Sequence, residues 1–254
     1  MDPDAREARL NALVALAHEL GREDRKLAIL GEGNVSTRVP GGMLVKASGR
    51  NLATLSPRGI VECRTAELCA MLGRSGLSDA AIDEQLLASR VGNDDPKPSV
   101  EALFHAYLLG LPGVEWVGHA HPVAVNRVMC SPRTHEFARR RIFPDEVVCC
   151  GEESVLVPYA DPGLKLAEAI RLRVDEHMER RGGPPRVILL ASHGVITVGS
   201  TSDAVLAAML MVTKSADIWV GAAALGGPNF LSDADVRRIA GRSDEEYRRR
   251  ALNL

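Results

Sequence analysis

The sequence predicts a single α/β domain built on a mixed or antiparallel sheet, and three observations carry that reading. Strand-like and helix-like apolar segments follow one another along the 254 residues without the regular alternation that a doubly wound parallel sheet demands. No internal repeat, low-complexity stretch or linker divides the chain. Hydrophobic residues make up 46% and charged residues 25%, ordinary proportions for a globular chain, and aromatics are only 4%, so the core must be aliphatic.

The elements follow in order. In 5–20, Leu10, Leu13, Val14, Ala17 and Leu20 recur at helical spacing and Gly21 stops the helix. A glycine-rich turn, Gly31-Glu32-Gly33-Asn34, enters a short strand, and Gly41-Gly42 make a hairpin turn into a second strand over 43–49. Residues 79–90 read as a helix on a surface insertion and 92–98 as a polar loop. Ser99 is placed to cap a helix holding Glu101 and His105, and Leu111-Pro112-Gly113 breaks it before an apolar strand over 114–121. Residues 131–144 are basic and read as irregular, and 146–157 as one or two strands. Asp161-Pro162 looks like a cap and first-turn proline opening a helix to about Arg181. Val187 to Leu190 is a strand, Ser192-His193-Gly194 a turn, and 195–198 another strand. Thr201 or Ser202 caps a long buried helix to Leu225. A tail over 226–254 holds two short helices, the second opened by a capping box at Ser243-Asp244-Glu245-Glu246.

Bulk properties exclude several partners. A net charge of −2 and a pI near 6.4 give no hint of nucleic acid or membrane. The charged start, Met1-Asp2-Pro3-Asp4, lacks a signal-peptide apolar region, and Lys214 and Asp217 interrupt the apolar run 204–225, which reads as a buried helix and not a membrane span. Five cysteines, odd in number and without a CxxC pair, fit reduced thiols and a cytoplasmic location.

The chemistry concentrates in 98–122. If 114–121 is a strand, His119 and His121 share one face, the geometry a metal chelate needs. The bland alternative is one exposed and one hydrogen-bonded histidine. His193, in a turn between two strands, shifts the balance toward a three-nitrogen site, with Glu101 as fourth ligand or as base. His105, four residues after Glu101 on one helix, reads as a core histidine or one behind the ligands. His18 and His177 read as surface or partly buried, His135 as solvated, and Tyr159 as structural.

Five blocks occur in order: Gly33-Asn34-Val35-Ser36 with Arg38, Lys46-Ala47-Ser48-Gly49, Pro98-Ser99-Val100-Glu101 followed by His105, His119-Ala120-His121-Pro122, and Ser192-His193-Gly194. With them the chain, over about 8–225, resembles the class II aldolase/adducin family, in particular its L-fuculose-phosphate aldolase-type enzymes. The resemblance implies a three-layer α/β/α sandwich around a mostly antiparallel central sheet, here one domain over 1–254. It implies that His119, His121 and His193 bind one divalent ion per subunit, zinc first, with manganese, cobalt or iron as alternatives. Glu101 would complete the resting site and act as general acid/base, while Asn34, Ser48, Gly49 and Ser99 would line a pocket for a phosphate or similar anion. A metal Lewis acid would stabilise the enediolate left when a carbon–carbon bond breaks. The family's enzymes are homotetramers with active sites between subunits.

Three positions depart from that pattern. Val100 stands where the sugar-phosphate aldolases have a second serine. Lys46 replaces a neutral residue and reads equally as a holder of phosphate or carboxylate and as a solvated strand end. Residues 141–146 contain no tyrosine where those enzymes place a proton donor; Tyr247 is the candidate substitute, with a packing or surface role as the plainer reading. The implied function is a metal-dependent aldolase acting on a phosphorylated ketose or similar hydroxy-carbonyl compound, glutamate at 101 setting it apart from the epimerases, which use aspartate there. A decarboxylase, dehydratase or epimerase on the same scaffold is the alternative. A non-catalytic adducin-like assembly module ranks below both, because all three histidines and the glutamate are present.

Overall fold

The structure is a computed structural model and describes residues 2–243. Helix α1 (Pro3–Leu20) buries Leu13, Leu16, Ala17 and Leu20 along one stripe, and the Gly21 amide closes it on the Ala17 carbonyl. Strands β1 (Asn34–Val39) and β2 (Gly42–Lys46) form a hairpin, and β3 (Ile60–Cys63) pairs with β2. Helices α2 (Thr65–Cys69) and α3 (Asp79–Ala88) follow, α3 capped by the Ser78 hydroxyl. Next come α4 (Ala102–Leu109) and β4 (Trp116–Ala120), then α5 (Val123–Met129), α6 (Thr134–Arg139) and α7 (Pro144–Cys150). Strand β5 (Val155–Val157) and helix α8 (Leu164–Arg181) lead to β6 (Val187–Leu190) and β7 (Gly194–Gly199). The long α9 (Ser202–Ala224), capped by Thr201, and the short α10 (Asp233–Ala240) finish the described chain.

Among the described residues the strands form one seven-stranded sheet in the order β3-β2-β1-β4-β7-β6-β5. Every neighbouring pair is antiparallel except β5–β6, which is parallel, so the sheet is mixed where a mostly antiparallel one was implied. Side chains alternate across it and build two cores. Val35, Leu44, Trp116, Val187, Leu189 and Val195 meet α1, α5 and α9 on one face. Val45, Val61, Val117, Ile188, Leu190 and Ile196 meet α2, α4 and α8 on the other. Each fully buried Leu or Val contributes about 1.5–3 kcal/mol. Helices on both faces make the three-layer α/β/α sandwich.

Several local readings change. Residues 146–150, expected in a strand, lie in the helix α7. The β-branched pair Val147-Val148 favours a strand, but Pro144 and the acids Asp145 and Glu146 suit a first helical turn. Glu146 also reaches back to accept the Ile142 amide at 2.9 Å, and Val147 and Val148 bury against Val236 and Ile239 of α10. The strand reading survives only in β5. The basic stretch after residue 131 contains α6, because Phe137 and Ala138 give it a buried side. The helix expected from Asp161-Pro162 starts later, at Leu164, since Gly163 turns the chain sharply with φ +109. His135 is solvent-exposed as read, but on α6 and not in a loop. His177 is buried beside Glu153, 3.4 Å away, and not at the surface.

By length and composition α9 could cross a membrane. Its Val205, Ala208, Met209, Val212, Ala216 and Trp219 face is packed into the first core. The capping box at 243–246 and Tyr247 lie outside the described residues.

Candidate metal centre

Strand β4 ends with His119 inside the sheet and His121 just beyond it, so both rings project from the same side of the sheet's end. Strand β7 runs antiparallel to β4, pairing Ala120 with Val195, which brings the turn before β7, and His193 with it, to that end. Gly194 is required there: a Cβ on it would sit 2.5 Å from the Ala120 carbonyl oxygen and 2.8 Å from the His121 ring. Gly33, at φ +75, is required on the other flank, where a Cβ would lie 2.6 Å from the His119 carbonyl oxygen.

The three imidazoles therefore converge, their nearest nitrogens all within 4.8 Å of one another. Ring centroids are 4.8 Å apart for His119–His121 and His121–His193, and 5.1 Å for His119–His193. His119 Nε2 and His121 Nε2 face each other at 3.0 Å. His119 is wholly buried, with Nδ1 3.0 Å from the Val195 carbonyl oxygen, which fixes that nitrogen as the donor and turns the Nε2 lone pair inward.

Glu101, in the turn that leads into α4, completes the cluster. Its Oε1 lies 3.4 Å from His193 Nε2 and 3.6 Å from His119 Nε2, and its Oε2 accepts a hydrogen bond from the Asn34 side-chain amide. Burial pushes the Glu101 carboxyl up, but the His119 and His193 imidazoles outweigh it and hold it well below the usual carboxylate range. Burial, helped by the neighbouring His119 and His193, lowers His121 to about 3, so its ring stays neutral. His105 is fully buried behind the site, stacked on Phe104 and within 2.7 Å of the Ser36 hydroxyl, and burial lowers it to about 3. It packs behind the cluster and does not join it, as the sequence suggests.

Of the predicted anion-binding residues, Asn34 and Ser99 contact Glu101 directly, and the Ser48-Gly49 turn joins them through the backbone next to Ser99. Asn34 is buried on β1. Residues Ala47 and Pro98 bridge, and the Ser48 amide donates to the Lys97 carbonyl, so the Ser48-Gly49 turn lies beside Ser99. Ser48 and Gly49 are exposed, and at φ +70 Gly49 leaves open space where a Cβ would be. Ser99 does not cap α4 directly; its hydroxyl accepts the Glu101 amide and shapes the turn before it. Lys46 is not a solvated strand end. It is 2% exposed, donates to the Arg50 carbonyl at 2.7 Å, and is lowered by burial to about 8 while the Glu101 charge partly restores it. Val100 turns its methyl groups under Gly163 and offers no donor. Tyr159 is exposed, and Tyr247 lies outside the described residues.

Two residues that sequence reasoning passed over, Glu32 and Asn126, belong to the neighbourhood, and one that it matched, Arg38, does not. Glu32, held by the Ile29 amide, puts Oε1 3.7 Å from His121 Nδ1. Asn126, on α5, donates to the His193 carbonyl at 3.1 Å. Arg38 was matched by block but does not enter the pocket: its guanidinium gathers the carbonyls of Leu109, Leu111 and Val114, the link between α4 and β4. A charged residue in a glycine turn and an asparagine in an apolar helix give no signal without their spatial neighbours.

Comparison with known proteins identifies the family and the fold. The family model described as Class II Aldolase and Adducin N-terminal domain matches residues 11–220. The chain is 26% identical over 180 residues to the uncharacterized oxidoreductase YuxG of Bacillus subtilis (strain 168), covering 70% of this chain and 23% of that protein. It thus spans under a quarter of that relative's length. An L-fuculose 1-phosphate aldolase structure superposes with a TM-score of 0.70 at 17% identity, covering 98% of each chain. YgbL from Escherichia coli, whose reaction is given as aldolase, epimerase or decarboxylase, superposes with a TM-score of 0.69 at 19% identity, over 93% of this chain and 100% of that one. At these identities the two structures establish the shared fold.

Proposed function

The chain belongs to the class II aldolase and adducin N-terminal domain family, and we propose that within it the protein is a divalent-metal-dependent lyase that cleaves a carbon–carbon bond of a phosphorylated ketose or similar hydroxy-carbonyl compound. The observation that carries the reading is the meeting of Glu101 with three inward-facing imidazoles. The donor set fits a metal. Three imidazole nitrogens with an adjacent carboxylate suit zinc and leave a coordination position for substrate, with manganese, cobalt and iron as alternatives. His119, His121 and His193 would hold the ion. When bound, it supplies a Lewis acid that draws negative charge from hydroxyl and carbonyl oxygens.

The chain's own groups do the rest. Glu101, ionised and oriented by Asn34, takes or returns the proton at the carbon that carries charge after the bond breaks. The Gly49 amide and the Ser48 and Ser99 hydroxyls offer donors to an anionic group, and the buried Lys46 ammonium adds positive charge felt by Glu101. On the same proposal the protein works in the cytoplasm as a homotetramer with sites between subunits.

The second reading, a decarboxylase, dehydratase or epimerase, is favoured by Lys46, whose ammonium suits a carboxylate as well as a phosphate, and by the donorless Val100. The test is metal analysis of purified protein, then incubation with phosphorylated ketoses and hydroxy-acids. Aldehyde release supports the aldolase. Carbon dioxide release moves the assignment to the second reading, and a protein that takes up no divalent metal overturns both.

A further inference from the structure

Ser192, the residue before His193, holds φ at +53, left-handed backbone at a side chain with a Cβ. Such backbone persists only where its surroundings over-determine it. Besides the turn's own bond, from the His193 amide to the Leu190 carbonyl at 3.2 Å, two bonds from one helix do so here. The Ser192 amide donates to the Met129 carbonyl at 3.0 Å, and the Asn126 side-chain amide donates to the His193 carbonyl at 3.1 Å. Both partners lie on α5, which begins directly after His121-Pro122. That short helix therefore bridges the His119–His121 pair and the third histidine, and its Val125, Val128 and Met129 share the first core with Val205, Ala208 and Val212 of α9. The Asn126 Oδ1 is buried without a protein partner. Flipping the amide would set oxygen against the His193 carbonyl oxygen, so the orientation that leaves Oδ1 unpaired is the one that holds the turn.

The structure assigns Asn126 the role of a positioning residue: through the His193 carbonyl and against the strained Ser192 backbone, it fixes the third imidazole of the triad relative to the other two. The inference rests on the metal-site reading and adds to it a residue that touches neither ion nor substrate.

The test is zinc affinity of the full chain by chelator competition, with His119→Ala as the blank for zinc held by cysteines. Asn126→Ala is expected to weaken zinc binding by about tenfold or more, the range typical of groups that orient ligands. Asn126→Asp, which keeps the shape and loses the donor, should do the same and serves where alanine unfolds the chain. Adding Ser192→Gly to either variant should recover most of the loss, because glycine adopts the left-handed backbone without strain. A merely structural Asn126 would lower the melting temperature without such rescue. Affinity within twofold of wild type in the variants would overturn the inference, as would a double variant that binds no tighter than the single. A wild-type chain that binds no zinc beyond the blank would remove the metal-site reading itself, and this inference with it.

Discussion

Glu101 and His193 meet at 3.4 Å, carboxylate oxygen to ring nitrogen, although one lies in the turn before a helix and the other between two strands. The contact makes the carboxylate a partner of the triad and leaves its other oxygen to Asn34. Glutamine at 101 keeps the shape and the Asn34 neighbour but cannot accept a proton. Glu101→Gln is expected to retain most of its zinc and lose about 10²–10⁴ in kcat, the usual share of general acid/base catalysis. Metal analysis and steady-state kinetics on one preparation check this; loss of the zinc would recast Glu101 as chiefly a ligand.

His119 is the most deeply set of the three imidazoles, buried completely and oriented by the Val195 carbonyl. Its ring faces both Glu101 and His121. His119→Ala should lose zinc on dialysis and activity with it, and added metal should not restore turnover. Wild-type protein stripped by chelator should recover with zinc.

Arg38 donates to the Leu111 carbonyl at 3.0 Å, to the Val114 carbonyl at 2.8 Å and to that of Leu109. It holds the turn between the Glu101 helix and the His119 strand. Arg38→Met should lower unfolding free energy by about 1–3 kcal/mol through unpaired carbonyls, as read by urea titration. The zinc affinity of the folded fraction should change little.

His105 and His121 are lowered by burial to about 3, from an ordinary 6.5. The unfolded chain therefore binds more protons than the folded one between those values, so stability is full above pH 6.5 and falls as pH drops toward 3. Glu101, held below its ordinary 4.5, acts in the same direction at lower pH. Metal-free protein should lose roughly 2 kcal/mol per buried histidine between pH 6.5 and 5. Urea midpoints across that range should show the slope, and His105→Gln should reduce it by about half.

Much of this was legible beforehand. The His119–His121 pair reads from alternation along a strand, and Glu101 and His193 read as partners by chemical type. The turns at Asn34 and Ser48 read from glycine placement. Elsewhere local signals misled. Val147 and Val148 favour a strand, and only the acidic first turn and the α10 contact make that segment helical. Asp161-Pro162 carries a helix-start signature, but the backbone of Gly163 delays the helix.

By itself the sequence determined the α/β class, the first hairpin and the long helices α1, α8 and α9, and the residues whose chemistry suits a metal, since periodicity, turn preference and ligand type are local properties of the chain. Only the tertiary structure decided that Lys46 is a buried cation near Glu101, that Arg38 is a brace, and that Asn126 holds the turn of His193. Those roles depend on which groups lose water together. Desolvation and hydrogen-bond partners are set by segments that meet only when the sheet is assembled.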